Sequence, residues 1–226
     1  MNRPMLSPVV PPEQSASIRI RRFGLAEYGP IYDAMRRFTG MRDENTADEL
    51  WLVQHPPVYT VGIAGRTEHF PREGAIPGSI SVERIDRGGQ ITYHGPGQAV
   101  VYTLLDLTRR NLSVRTLVHR LEQAVIDCLS AYNVEASRRA GAPGVYVDGA
   151  KVAALGLRVR RGCCYHGIAL NVDMDLAPFS VIDPCGYPGL AVTQTSALGV
   201  KLDTDALGEA LARRIAELLE ANHATG

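Results

Sequence analysis

The sequence predicts an α+β fold: one domain in which a mixed β-sheet is flanked by helices. Helical periodicity stands near the start, in the middle and at the end of the chain, many short strand-like runs stand between, and no linker or internal repeat divides the 226 residues. A chain of this length ordinarily forms one domain and buries most of its apolar surface without disulfide or metal staples.

Residues 1–17 hold four of the 14 prolines and no apolar period, so they read as a disordered leader, with the domain proper at 18–226. A strand is expected over Ile18–Phe23. A helix is expected over Ala26–Met41, where Tyr28, Ile31, Tyr32, Met35 and Phe38 share one face. Glu49–Val53 and Val58–Val61 read as strands parted by His55-Pro56-Pro57, and His55 reads as a structural turn residue. Residues 63–79 form a long loop, and Ser79–Ile85 alternates as a strand. Ala99–Leu105 is apolar almost throughout, as a strand buried on both faces would be. Val114–Tyr132 is striped by Leu117, Leu121, Val125 and Leu129 behind a Ser113 cap, with Cys128 an inert thiol beside the stripe. Asp148-Gly149 joins Gly144–Val147 to Lys151–Val159 as a type I′ hairpin, and Cys164–Val172 is a further strand. Leu207, Leu211, Ile215 and Leu218 stripe a closing helix over Thr204–Ala221, capped by Asp203 or Thr204.

Composition narrows the function. Lys+Arg 24 balance Asp+Glu 24, so nucleic acid and anionic membrane are not expected partners, and a charged partner must meet a local patch. Arg138, Arg139, Arg158, Arg160 and Arg161 are candidates for such a patch. The leader has no h-region and no apolar run reaches the roughly 18 residues of a membrane span, which reads as a cytoplasmic protein. Four cysteines without CxxC spacing imply reduced thiols and no metal site. The adjacent Cys163 and Cys164 point to opposite faces of a strand and cannot share a metal.

The densest chemical signal is Arg87-Gly-Gly-Gln-Ile-Thr-Tyr-His-Gly-Pro-Gly97, a loop of four glycines and a proline around one guanidinium and one imidazole. Such a loop brings backbone N–H groups close to a ligand, although a long hairpin turn has the same composition. Cys185 stands between Pro184 and Gly186 on a turn that would present its thiol as a nucleophile, or leave it a loop thiol without a role. Lys151 and Lys201 are the two lysines among 22 arginines. A lysine entering an apolar strand can cycle a proton as arginine cannot, or can keep its head in water. His166 offers a competing Cys/His pairing.

The run RGGQITYHGPGQAVVYTLLDL resembles the signature of the lipoyl(octanoyl) transferases. The likeness extends through HPPVYTVG, GAKVAALGLRV, HGIALNV and DPCGYPG, in the family's order, over roughly Glu49 to Ser196. The resemblance implies the biotin and lipoate ligase-like fold and transfer of octanoate from octanoyl-acyl carrier protein to a lysine of lipoyl domains. The acceptors would be the lipoyl domains of 2-oxoacid dehydrogenases and the glycine cleavage H protein. It implies no cofactor, a monomer, Cys185 as thioester-forming nucleophile and Lys151 as the partner that lowers its pKa. Substrate would be held by Arg87, Gly88, Gly89, Gln90, Ile91, Thr92, Tyr93 and His94, with Ala154, Leu155, Gly156, Gly167, Ile168 and Ala169 flanking the acyl chain. The alternatives are an ATP-dependent lipoate or biotin protein ligase, which needs no thiol, and a non-catalytic acyl-binding module.

Overall fold

The computed structural model describes residues 17–66, 80–183 and 189–221. In chain order the elements begin with β1 (Arg19–Leu25), α1 (Tyr28–Met41), β2 (Glu49–Gln54), β3 (Val58–Val61), β4 (Ser81–Arg84) and β5 (Ile91–His94). There follow β6 (Gln98–Asp106), α2 (Val114–Ser130), β7 (Ser137–Arg138), β8 (Val145–Val147), β9 (Ala150–Arg160), β10 (Cys163–Asn171) and α3 (Thr204–Glu220). A seven-stranded sheet in the order β1-β2-β6-β10-β9-β8-β7 and a smaller sheet β4-β3-β5 make up the β layer. Both are mixed: β1 runs parallel to β2 and β3 to β4, while the other pairs are antiparallel.

The nearly continuous apolar run of β6 explains its central place. Ala99, Val101 and Leu105 enter a core covered by α2 and α3, whereas Val100, Tyr102 and Leu104 enter a second core under α1, so both faces of the strand are buried. Leu117, Leu121, Val125 and Leu129 are all fully buried along α2, whose first turn is capped by Ser113 Oγ accepting from the Thr116 N–H. The Asp148-Gly149 turn has φ of 49° and 81°, the two positive values that a type I′ hairpin requires. Cys128 lies in the first core, and burial pushes its thiol up to about 11.

Several boundaries and faces differ from expectation. The glycine-rich run is not wholly a loop: Ile91–His94 pairs with Val58–Val61 as β5, because its β-branched and aromatic residues alternate onto the small sheet. Leu207, Leu211 and Ile215 are buried along α3 as expected, but in its last turn the buried leucine is Leu219, with Leu218 only partly buried. Gly208, Ala212 and Ala216 widen the buried face, and a Cβ at Gly208 would come within 2.8 Å of Leu52 Cδ1, so this small-residue row lets the helix settle close to the sheet. The edge strand β7 has too little pattern to predict. Residues 1–16 of the leader and 67–79 of the long loop lie outside the described residues.

Candidate active site

Between the two sheets lies a pocket of about 490 Å³, its open mouth included. Its floor is the second face of the large sheet, where Ala154 pairs with Ala169 and Gly156 with Gly167. These small residues keep the floor low. At Gly167 any Cβ would run into the Val101 carbonyl, and at Gly156 it would lie 3.0 Å from Gly88 O and 3.1 Å from Arg87 Cδ. The glycine-rich run crosses the floor there, held by Gly88 N–H donating to Leu157 O at 2.9 Å. Arg87, Gly89, Gln90, Ile91, Thr92 and His94 line the roof and wall, and Leu155 and Ile168 complete the expected set. Two expected lining residues do not line it. Gly88 is engaged with β9, and Tyr93 alternates away into the small sheet's core against Tyr59 and Phe179.

Lys151 reaches this face through a β-bulge. Tyr146 pairs with Lys151 and Val145 with Ala153, so Val152 is an extra residue in β9. Val152 and Ala153 therefore both enter the core beneath α2 and α3, and Lys151 falls on the face of Ala154. The side chain is 3% exposed, Nζ donates to Pro143 O at 3.2 Å, and Nζ lies 5.3 Å from the centre of the Tyr146 ring. Along its backbone, Lys151 N donates to Ala191 O at 2.8 Å and Thr193 N donates to Lys151 O at 3.0 Å. Cys185 itself lies outside the described residues, but the chain that resumes at Gly189 runs beside Lys151 within a few residues.

The pocket wall is polar and tightly partnered. Arg87 is buried and donates through Nη2 to Thr60 O at 2.7 Å and Thr60 Oγ1 at 3.0 Å, so its guanidinium also fastens the loop to β3. His94 Nδ1 lies 2.6 Å from Gln98 Oε1. Burial, with His55 nearby, pushes His94 down to about 3. His55 is held between Ala26 O and the Tyr102 hydroxyl, each at 2.7 Å, and burial lowers it to about 4, which agrees with a structural role. Both rings are thus neutral near pH 7.

His166 also lines the pocket, at φ 64°, stacked on Tyr165 and Tyr32 and 3.3 Å from Asp86 Oδ1. Burial lowers its pKa in spite of that carboxylate. Burial alone would raise Asp86, but hydrogen bonds from His166, Tyr165 and Tyr32 hold it well below the usual carboxylate range. His166 pairs with Leu157, six residues along β9 from Lys151, or about 20 Å at the rise of a strand. Lys151 and His166 therefore stand toward opposite ends of β9. Tyr28, Val100 and Tyr102 line the pocket too, and sequence reasoning read them as core. Periodicity cannot separate a core face from a pocket face, although Tyr28 and Tyr102 carry the polar tips that a wet wall uses.

The expected arginine patch does not hold together. Arg138 is spent on Glu122, Gln123 and the His119 carbonyl beside Val145, while Arg158 and Arg160 lie at the other end of β9, about 23 Å along the strand from Ala153 to Arg160.

Residues 34–216 match the lipoyl protein ligase A/B catalytic domain family. The chain is 58% identical over 205 residues to the octanoyltransferase of Azoarcus sp. (strain BH72), covering 91% of this chain and 89% of that one. It is 58% identical over 216 residues to the octanoyltransferase of Thiobacillus denitrificans, covering 92% and 97%. Among solved structures, the bipartite lipoate protein ligase of Thermoplasma acidophilum aligns with TM-score 0.68 at 17% identity, over 89% of this chain and 84% of that one. The biotin protein ligase of Aquifex aeolicus aligns with TM-score 0.55 at 14% identity, over 93% and 73%. These two establish the shared fold.

Proposed function

We propose, from the premise that this chain belongs to the lipoyl protein ligase A/B catalytic family and to its octanoyltransferases, that it moves an octanoyl group from acyl carrier protein to a lysine of a lipoyl domain through an acyl-Cys185 intermediate. The observation that carries this reading is the bulge that delivers a buried Lys151 to the pocket face, beside the chain that follows Cys185. A small-residue floor suits an alkyl chain, whose burial at about 0.8 kcal/mol per CH₂ supplies several kcal/mol of binding.

The chemistry balances without ATP. Lys151 favours the Cys185 thiolate, either by accepting its proton or by pairing with it as an ammonium. The thiolate attacks the thioester carbonyl, the C–S bond to the carrier breaks, and the carrier thiol leaves with a proton. The neutral ε-amine of the lipoyl lysine then attacks the acyl-enzyme, the amide forms, and the Cys185 thiolate is released as the amine proton passes to Lys151 or water. The recipients on this reading are the lipoyl domains of 2-oxoacid dehydrogenases and the glycine cleavage H protein.

The test is intact-protein mass after incubation with octanoyl-acyl carrier protein in the absence of ATP. A thiol-labile gain of one octanoyl group, lost on adding a lipoyl domain that gains it, is the expected result. A gain that needs ATP would point instead to the adenylating ligases, and no gain under either condition would leave only acyl binding.

A further inference from the structure

We infer that Gln98 and Asn171 are positioning residues that clamp the chain beside Lys151 and tie it to the His94 ring in the acyl pocket. Asn171 sits at the end of β10 directly opposite Gln98 at the start of β6. Its side chain and backbone hold one short segment twice: Nδ2 donates to Thr193 O at 3.0 Å, and Thr195 N donates to the Asn171 carbonyl at 3.0 Å. Thr193 in turn donates its N–H to the Lys151 carbonyl. The segment is therefore gripped between Asn171 and the lysine strand.

The other arm of the clamp runs to the pocket. Gln98 Nε2 donates to Asn171 Oδ1 at 2.9 Å and to Tyr93 O at 3.3 Å, so both amide protons are used and Oε1 must accept. His94 Nδ1, at 2.6 Å, is then the donor, and Nε2 carries the lone pair, 3.4 Å from a Thr60 hydroxyl whose oxygen accepts from Arg87. Every donor points the same way, from Arg87 through Thr60, His94, Gln98 and Asn171 to Thr193. Thr60, His94, Gln98 and Asn171 are all buried, at 0, 7, 2 and 4% exposure. In such a setting, reversing one donor leaves an unpaired group and breaks the chain at that link. Two pocket-lining groups, Arg87 and His94, are thereby joined by side chains to the segment that sets the lysine backbone. Neither Gln98 nor Asn171 lines the pocket, so each acts through its neighbours.

The inference rests on the acyl-transfer reading for its consequence, and two isosteric variants separate them. Asn171→Asp keeps the acceptor for Gln98 and turns the donor to Thr193 into an opposed oxygen. Gln98→Glu keeps the acceptor for His94, opposes Asn171 and Tyr93, and places a carboxylate that favours the imidazolium. In Asn171→Asp, hydrogen exchange at the Lys151 and Thr193 amides should quicken at least about tenfold while β6 stays protected, and kcat should fall about 10²-fold, as for a displacement near 1 Å, with KM for the acyl donor within about threefold. In Gln98→Glu, the His94 ring nitrogens should shift toward imidazolium near neutral pH, and the kcat profile should gain that ionisation. Unchanged exchange and kcat in either folded variant would overturn the clamp, as would a kcat loss that vanishes on cooling well below the melting point. A wild-type protein that forms no octanoyl adduct sinks the functional reading instead, while the exchange and ring-nitrogen measurements still decide the clamp.

Discussion

The two faces of the seven-stranded sheet are both buried, yet their chemistry differs. Beneath α2 and α3 the contacts are almost wholly aliphatic: Leu121, Val125, Leu207, Leu211 and Ile215 pack on Leu50, Val101 and Leu170. On the α1 side the same strands present Tyr102, Tyr165 and His166, and His55, His94 and Arg87 are buried against them with named polar partners. Aliphatic packing is non-directional and tolerates volume-conserving change, whereas each buried polar group is stable only with its own donor or acceptor. Stability should therefore reside mainly on the first face and activity on the second.

Lys151→Arg is the largest expected breach on the pocket face. It keeps the positive charge but cannot cycle a proton near neutral pH, so octanoyl transfer should fall by about 10²–10⁴-fold, the usual worth of a positioned acid-base group. Cys185→Ala should abolish the covalent adduct in the same mass assay. A fully active Lys151→Arg enzyme would reduce the lysine to a charge, and a fully active Cys185→Ala enzyme would remove the covalent route.

Leu121→Ala is the counterpart on the aliphatic face. Leu121 is fully buried, and its truncation should cost about 2–5 kcal/mol in urea unfolding while leaving kcat within about twofold at temperatures where the protein is folded. A variant that keeps its stability but loses kcat would contradict the division of labour between the faces.

The aliphatic face was legible because it obeys one rule at a time. The period of α2, its Ser113 cap and the nearly continuous apolar run of β6 each announce themselves, whereas the small-residue row Gly208, Ala212 and Ala216 and the exchange of Leu219 for Leu218 in the last turn of α3 escaped a reading that counts large side chains at a fixed spacing. The pocket face was legible only in part. Arg87 and His94 stand out as chemistry-bearing residues in a glycine-rich run, but Tyr28 and Tyr102 satisfy the same periodicity as core residues and gave no separate signal. The Val152 bulge that aims Lys151 is a register shift inside the β8–β9 hairpin, and neither the turn residues nor the apolar alternation of the two strands announces it.

A pH titration should separate the faces more gently. His55 and His94 have folded pKa values of about 4 and 3, below the ordinary 6.5, so the unfolded chain binds more protons as pH falls through 6.5. Their contribution is intact above that value and is lost progressively toward pH 4, by up to about 1.4 kcal/mol per pH unit for each ring. Urea midpoints at pH 7.5, 6 and 5 should fall across that range, before most carboxylates titrate. Since the aliphatic face holds no such ring, a flat stability between pH 6.5 and 5 would mean that the two imidazoles are not buried as neutral groups.

The smallest expected effect concerns the helix ends. α2 and α3 begin with side-chain caps, Ser113 on the Thr116 N–H and Asp203 on the Ala206 N–H, whereas α1 on the pocket face begins at Glu27 with no side-chain cap bond. Glu27 has φ −57° and ψ 141°, an extended geometry in which a serine hydroxyl can reach the N–H of the next turn. Glu27→Ser should therefore stabilise the protein by roughly 0.5–1 kcal/mol, read as a higher urea midpoint at constant slope, while Ser113→Ala and Asp203→Ala should each cost about 1 kcal/mol. Tyr28, the first residue of α1, lines the pocket and stacks near His94, so tightening its turn tests whether the missing cap serves the site. A stabilised Glu27→Ser enzyme with unchanged turnover would mean that the α1 start needs no freedom, and one that gains stability while losing turnover would mean that the pocket opens there.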